Sequence, residues 1–154
     1  MKYIAVNNKK TLAAISALSL LGYAGIASAH DYNGALGKPA AATDLFQVSC
    51  FDDGSGPADR LAVQVREEAP ASGPLVSVQV VSGIVAKNTT DPVNGNATYS
   101  PVINVKGNNT YSLTVDKTKA GKVATTYAIS YHCLTSANAH TGTTEISSGI
   151  LQNQ

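Results

Sequence analysis

The sequence predicts an all-β protein, an antiparallel β-sandwich of about seven strands with one disulfide between its two sheets. From residue 44 onward, apolar residues alternate with polar ones in short runs, which is the period of a strand with one buried face. Segments rich in Gly, Pro, Asn and Asp separate these runs and are typical of tight turns. Cys50 and Cys133 fall in the apolar registers of an early and a late run, so a bond between them would join the sheets through the core.

Seven runs account for the predicted strands, and each has a set of alternate residues that share one face. In the first run, for example, this face carries Phe46, Val48 and Cys50. Between the runs, glycine and asparagine tolerate positive φ, and proline withholds the amide that a sheet ladder needs. The predicted strands cover residues 45–51, 60–66, 76–80, 99–105, 111–115, 127–133 and 145–151.

Residues 1–29 have the three-part layout of a signal peptide. Three lysines precede an apolar run over residues 11–26, and the small residues Ala27, Ser28 and Ala29 follow it. We therefore expect cleavage after Ala29 and a protein that is secreted or periplasmic, or held at the cell surface. A retained membrane anchor is the alternative. However, two serines and two glycines lower the hydrophobicity of a run that is already short for crossing a bilayer.

Cleavage would leave enough chain for one domain with a hydrophobic core. Residues 30–43 are rich in Gly and Ala, contain Pro39 and show no alternation, so they are predicted to form a flexible N-terminal arm. Residues 44–154 are predicted to form the sandwich. In an oxidising compartment, the disulfide between Cys50 and Cys133 would stabilise the fold by about 4–5 kcal/mol through the chain entropy of the loop that it closes.

The charge of the chain argues against nucleic acid as a partner. The full sequence carries 11 basic and 10 acidic residues, a formal net charge of +1. Loss of residues 1–29 removes three lysines and no acidic residue, which changes the net charge to −2. A protein that binds phosphate backbones needs a basic surface. The expected partners are therefore other exported proteins or further copies of the same chain, with no transmembrane segment left after cleavage.

Tyr131 lies two residues before Cys133. This spacing resembles the tyrosine corner of immunoglobulin-like domains, in which a tyrosine precedes the second cysteine of the inter-sheet disulfide by two positions. The resemblance rests on Cys50, Tyr131 and Cys133, and it implies an immunoglobulin-like architecture for the sandwich.

The chain contains three histidines, and cleavage after Ala29 would make His30 the first residue. Its α-amine and imidazole could then chelate a copper ion, and an imidazole from His132 or His140 would complete a histidine brace. His132 is expected to point outward, because it neighbours the inward-facing Cys133. A histidine directly after the signal peptide of a small exported protein resembles copper-binding β-sandwiches of the CopC type and copper-dependent polysaccharide monooxygenases. The resemblance implies a copper site at these three histidines.

Other chemistries fit the sequence less well. The turn segments 52–59 and 91–96 hold clustered Asp and Asn that suit calcium, but neither has the spacing of an EF-hand, and the same residues suit tight turns. Ser55 lies between two glycines in a segment too short for a nucleophile elbow. Cys133 is no nucleophile once it is in a disulfide. An enzyme is therefore not expected.

The sequence favours a non-enzymatic role as a structural or binding module in the periplasm or on the cell surface. Low charge and many Thr, Ser, Asn and Gly residues suit contacts through strand edges. In length, signal peptide and single disulfide, the chain resembles pilus and fibre subunits. Copper binding is the alternative function. Carbohydrate binding, a third class, would need exposed aromatic rings, and Tyr32 is the one tyrosine after residue 29 outside the inward registers.

Overall fold

The computed structural model describes residues 30–107 and 110–154. The predicted signal peptide, residues 1–29, lies outside the described residues. Within the described ranges the chain forms ten β-strands and one short 3-10 turn at Ile146–Ser148, and no helix there is long and apolar enough to cross a membrane. The strands are β1 His30–Leu36, β2 Thr43–Phe51, β3 Arg60–Ala69, β4 Val76–Ser82, β5 Val85–Thr90, β6 Ile103–Lys106, β7 Thr110–Lys117, β8 Thr125–Leu134, β9 Gly142–Thr143 and β10 Ile150–Gln152.

The strands form two antiparallel sheets, which confirms the predicted β-sandwich. The first sheet has the strand order β1-β8-β3-β6, and the second has the order β10-β2-β7-β4-β5, with β9 also paired to β2. In the second sheet, β2, β4 and β7 bury every second residue, while β3 and β8 of the first sheet also bury consecutive residues, and the two inner faces share one apolar core. The largest fully buried apolar side chains are Tyr111, Tyr127, Tyr131, Phe46, Leu36, Leu61, Leu113, Ile129 and Ile146.

The predicted disulfide is present and joins the two sheets. Cys50 lies on β2 in the second sheet and Cys133 lies on β8 in the first, and their Cα atoms are 5.6 Å apart. Both cysteines are buried in the core. Because the two residues are separated by 83 positions, the bond closes a long loop and restricts the unfolded chain strongly.

Tyr131, beside the disulfide, fixes the segment that follows β9. Its hydroxyl accepts a hydrogen bond from the backbone N–H of Ile146 at 2.9 Å and donates to a carboxylate oxygen of Glu145 at 3.3 Å. In the tyrosine corner of immunoglobulin-like domains, the hydroxyl bonds to the backbone upstream of the tyrosine. The tyrosine therefore has the expected position before Cys133, but its backbone partner lies downstream.

The structure corrects the prediction of a flexible arm over residues 30–43. Strand β1 pairs with β8 along its whole length, from His30 opposite Tyr131 to Leu36 opposite Thr125. Gly34 makes this pairing possible, because a Cβ atom at this position would lie 2.3 Å from the ring of Tyr127. The absence of a side chain thus lets β1 lie over a buried ring.

Two buried polar side chains hold the N-terminal region against the sandwich. The Asp44 carboxylate accepts hydrogen bonds from the Tyr127 hydroxyl at 2.5 Å and from the backbone N–H of Gln154 at 2.8 Å. Burial, together with Asp44, raises the pKa of Tyr127 far above its ordinary value, so the hydroxyl keeps the proton that it donates. The Lys117 ammonium donates to the carbonyl oxygen of Gly37 just after β1.

Several strand boundaries differ from the predicted ones. β5 lies at an edge of the second sheet with most of its residues exposed, so it shows no clear alternation in the sequence. β9 has only two residues, too few for any pattern. β6 begins at Ile103 rather than at residue 99, and the predicted strand 145–151 is divided between the 3-10 turn and β10.

Replacing Gly34 by Ala is expected to destabilise the protein, because the added methyl group collides with the buried Tyr127 ring. The expected loss is about 1–3 kcal/mol in the free energy of unfolding, measured in urea. Ala35 is exposed on the same strand, so Ala35→Ser serves as the control and should change this free energy by less than about 0.5 kcal/mol. Equal stability of Gly34→Ala and the wild type would contradict the packing described for β1.

Candidate functional site

The three histidines lie along one edge of β8. The far edge of β8 pairs with β3, as far as Leu134. The near edge, which carries the histidines, pairs with β1 as far as Tyr131, which lies opposite His30. His140 forms a β-bridge with Leu134, and since β3 already occupies the far edge there, His140 must lie on the same edge as His30. The histidine cluster, which comprises His30, His132 and His140, therefore spans positions 131–134 of β8.

His132 and His140 are in contact. The neighbouring Cys133 is buried in the core, so His132 points to the outer face of the first sheet, as its register predicts. The centroids of the two imidazole rings are 4.7 Å apart, with the ring planes inclined at 60°. Two imidazoles that share a metal ion, with metal–nitrogen distances of about 2.0–2.1 Å, have centroids roughly 4.5–5 Å apart. The observed separation falls in this range, and it is also the ordinary separation of two aromatic rings in contact.

His30 lies beside this pair on the neighbouring strand, with its imidazole held in place. The ring is 5.6 Å from that of Tyr131, and Nε2 is 3.3 Å from a carboxylate oxygen of Glu145. Only 16% of the His30 side chain is exposed. The structure therefore brings the His132 and His140 side chains together on the outer face. His30 follows on the neighbouring strand, but its side chain lies opposite the core-facing Tyr131 and so on the inner face of the sheet, against Tyr131 and Glu145.

The surroundings of His132 favour its neutral form. Burial lowers the pKa of His132, the positive forms of His140 and then His30 lower it further, and Asp31 acts in the opposite direction. At neutral pH the imidazole therefore has a free lone pair, which a metal ligand requires.

The donors near the cluster are nitrogen atoms rather than thiolates or a ring of carboxylates. In the part of the chain that the structure describes, no three His, Cys, Asp or Glu side chains are grouped as a complete metal site. Both cysteines of the sequence are consumed by the disulfide. Of the described side chains, the imidazoles of His132 and His140 are the pair that could contact one metal ion on the outer face at this edge.

Two polar residues near the histidines were not among the predicted site residues. Ser130 places its Oγ 3.2 Å from Nε2 of His132. These residues share a strand face, so the alternation along β8 could have indicated Ser130. Glu145 reaches His30 from the segment after β9, at the far end of the chain. No local pattern in the sequence indicates that contact.

The contact between Ser130 and His132 lacks the orienting group of a hydrolase. In a serine hydrolase, a carboxylate bonds to the second ring nitrogen of the histidine and holds the imidazole toward the serine. Nδ1 of His132 is buried and has no hydrogen-bond partner among the described residues. Among the described residues, Ser130 and His132 therefore do not form the serine–histidine–carboxylate arrangement of a serine hydrolase.

The two turns considered for calcium use their carboxylates within the fold. One oxygen of Asp52 accepts from the backbone N–H of Gly54 at 2.8 Å. The Asp91 carboxylate accepts from the backbone N–H groups of Val93 at 3.1 Å and Glu67 at 2.5 Å. These bonds are the kind that Asp makes in tight turns, which agrees with the turn interpretation.

The tyrosines considered for carbohydrate binding are partly or fully covered. Tyr32 packs edge-on against Phe46, with the ring centroids 5.1 Å apart. Tyr99 is half-buried, and the guanidinium of Arg66 lies 4.8 Å from its ring centroid. Each ring is thus already in contact with a side chain of the fold.

The fold and the histidine cluster define this molecule as a disulfide-linked antiparallel β-sandwich with imidazoles gathered at one strand edge. Comparison with models of protein families and with curated proteins found no match to the chain.

His132 is expected to titrate below the ordinary histidine pKa of about 6.5, because burial and two like charges disfavour its protonation. Replacing His140 by Gln removes one of these charges and should raise the pKa of His132 part of the way, since the burial remains. An NMR pH titration of the imidazole resonances measures both effects, and Lys122→Gln, at an exposed loop position, is the control. A wild-type His132 that titrates at or above the ordinary value would contradict the described environment.

Proposed function

We propose that the protein is an exported, non-enzymatic β-sandwich that binds a transition-metal ion, copper in the first place, at the histidine cluster. The observation that carries the proposal is that all three histidines of the sequence lie at one edge of β8. They belong to β1, to β8 and to the segment after β8, so only the folded chain brings them together. Histidines that served only to keep the surface polar would be spread over it.

The chemistry of the cluster suits copper. Imidazole is a common ligand of Cu(II), and among the divalent ions of the first transition row copper binds most strongly to a given nitrogen site. The lowered pKa of His132 reduces the competition from protons at neutral pH. With both cysteines in the disulfide, the site has no thiolate that would favour softer ions.

Removal of the predicted signal peptide would add a donor at the right place. Cleavage after Ala29 would free the α-amino group of His30, which lies opposite Tyr131 and therefore next to His132 along β8. Together with the imidazoles of His132 and His140, this amine would supply three nitrogen donors, a set that suits the tetragonal N,O geometry of Cu(II).

Protein that begins at His30 is expected to bind one Cu(II) ion per chain, because the cluster forms a single site. Replacing His132 or His140 by Ala should weaken binding by more than about tenfold, since loss of a ligand costs more than loss of an outer hydrogen bond. A competition titration against a coloured chelator measures the affinity. Gln79→Ala, at an exposed position on β4, is the control and should bind as the wild type does. An absorption and EPR spectrum unaffected by the protein would end the copper proposal.

A second candidate function, assembly through a strand edge, is favoured by β5. This strand pairs with β4 on one side and with no described strand on the other. At the tip of the β4–β5 hairpin, Ile84 is fully exposed and Val85 is 37% exposed. The single charged residue of β5 is Lys87, whose ammonium donates to the carbonyl oxygen of Asn104 at 2.7 Å. An edge strand with so little charge can pair with a strand of a second copy or of another exported protein.

If β5 mediates assembly, the double variant Ile84→Lys and Val85→Lys should associate less than the wild type, because charges at an edge oppose strand pairing. Sedimentation velocity over a range of protein concentrations measures the association. Val123→Lys, which places the same charge on an exposed loop, is the control and should leave association unchanged. A wild type that stays monomeric at every concentration and captures no other exported protein would rule out this candidate.

A further inference from the structure

One edge of β3 pairs with β8, and the other edge is only partly paired with a strand. β3 extends from Arg60 to Ala69, but β6 pairs with it only from Arg60 to Val63. Beyond Val63 the same edge is covered by residues 91–101, which belong to the connection between β5 and β6 and are called the strap below.

The strap satisfies the backbone of β3 through individual contacts rather than through a strand ladder. The backbone N–H of Val65 donates to Oγ of Ser100 at 3.0 Å, and the carbonyl oxygen of Val65 accepts from the backbone N–H of Ser100 at 2.8 Å. The backbone N–H of Glu67 donates to the Asp91 carboxylate at 2.5 Å. The strap thus closes an edge that would otherwise be open to another strand.

Two fully buried carboxylates meet where the strap docks on β3, those of Glu67 and Asp91. Oε2 of Glu67 accepts from the backbone N–H of Gly95 at 2.6 Å, whereas Oε1 is buried and has no hydrogen-bond partner among the described residues. Oδ1 of Asn94, in the strap, is also buried without a partner in this part of the chain. Burial of a charge and of unpaired polar atoms is costly, so the ionised form of Glu67 opposes this contact.

The surroundings of Glu67 favour its protonated form. Burial raises the pKa of Glu67, the N–H group of Gly95 lowers it, and the negative charges of Asp91 and then Glu68 raise it, with a net rise above the ordinary value. None of the ion pairs among the described residues includes Glu67 or Asp91.

The charged groups on the elements around Glu67 have partners of their own. Arg66 precedes Glu67 on β3 and pairs with Glu68, and Tyr127 lies opposite Glu67 on β8 and donates to Asp44. β4 carries no charged residue, and Asp91 is the one charged residue of the strap. On the two remaining neighbours of β3, Lys87 of β5 donates to the carbonyl oxygen of Asn104, and Lys106 of β6 pairs with Asp59.

We propose that the strap is a pH-sensitive cover, which docks on β3 while Glu67 is protonated and opens more often once Glu67 is ionised, with the rest of the sandwich still folded. Opening would uncover the backbone N–H groups of Val65 and Glu67, so the strap would control whether this edge is available for strand pairing. The proposal is independent of copper binding at the histidine cluster.

The direction of the pH dependence follows from the exposure of Glu67. Once the strap opens, Glu67 reaches water and its pKa returns toward the ordinary value. Since the pKa is higher in the docked form, opening is coupled to the release of a proton, and a rise in pH favours the open form. The effect begins near the ordinary value and ends at the pKa of the docked form. A strap that served only as a static turn would open equally often at each pH in this window.

Amide hydrogen exchange of the wild-type protein, followed by NMR and corrected for the intrinsic pH dependence of exchange, measures the opening. The opening equilibrium constant at Val65 and Glu67 is expected to rise with pH above the ordinary glutamate pKa of 4.5, by up to about tenfold per pH unit. The amide of Gln64, which faces β8 by the alternation of the ladder, should stay more strongly protected throughout, because only the strap opens.

Glu67→Gln keeps the shape of the side chain and removes its charge, so it should abolish the pH dependence at the Val65 amide. Glu68→Gln, at a neighbouring carboxylate that pairs with Arg66, is the matched control and should retain it. The proposal is wrong if the wild-type constant at Val65 does not change with pH, if Glu67→Gln leaves its rise unchanged, or if Val65 and Gln64 exchange at the same opening constant.

A carbon-13 NMR titration of the side-chain carboxyl groups needs no variant and covers the case in which Glu67→Gln fails to fold. The carboxyl resonance of Glu67 is expected to titrate above the ordinary glutamate pKa, and that of Glu68 serves as the internal comparison. A Glu67 carboxyl that titrates at or below the ordinary value would overturn the proposal.

Discussion

Strand β8 has both edges and its inner face fully engaged, and the rest of the structure depends on this. β3 and β1 pair with its two edges, and the disulfide from Cys133 ties it to the opposite sheet. Tyr127 and Tyr131 of its inner face reach Asp44 and the segment after β9. Both edges and the inner face of β8 are therefore occupied by contacts within the fold. The outer face of β8 and the end of one of its edges remain for side chains with another role.

That constraint also fixes the backbone at the histidine cluster. β1 ends its pairing opposite Tyr131, and the chain returns to the same edge at His140. His132 lies between these two points on a strand that cannot shift its register without moving Cys133 out of the core. A site built on paired strands keeps its donors in place better than one built on loops.

Local alternation was enough to predict the sandwich, the disulfide and the outward direction of His132, since all three follow from residues that are close in sequence. It failed for β1, because Gly34 has the appearance of a strand breaker until the distant ring of Tyr127 is placed against it. Likewise, the three histidines could be singled out as candidate ligands from their chemistry, but the contact of Glu145 with His30 could not be predicted. Its contact with His30 exists only once β1 and the segment after β9 are brought together by the fold.

The proposed function requires that the histidine cluster holds one metal ion at the edge of β8. The most direct test is anomalous diffraction at the copper absorption edge from crystals of mature protein grown with Cu(II). A single strong peak bordered by the start of β1 at His30 and by His132 and His140 is expected, with β1 still paired to β8. Copper located elsewhere on the molecule, or a peak that involves none of these imidazoles, would contradict it.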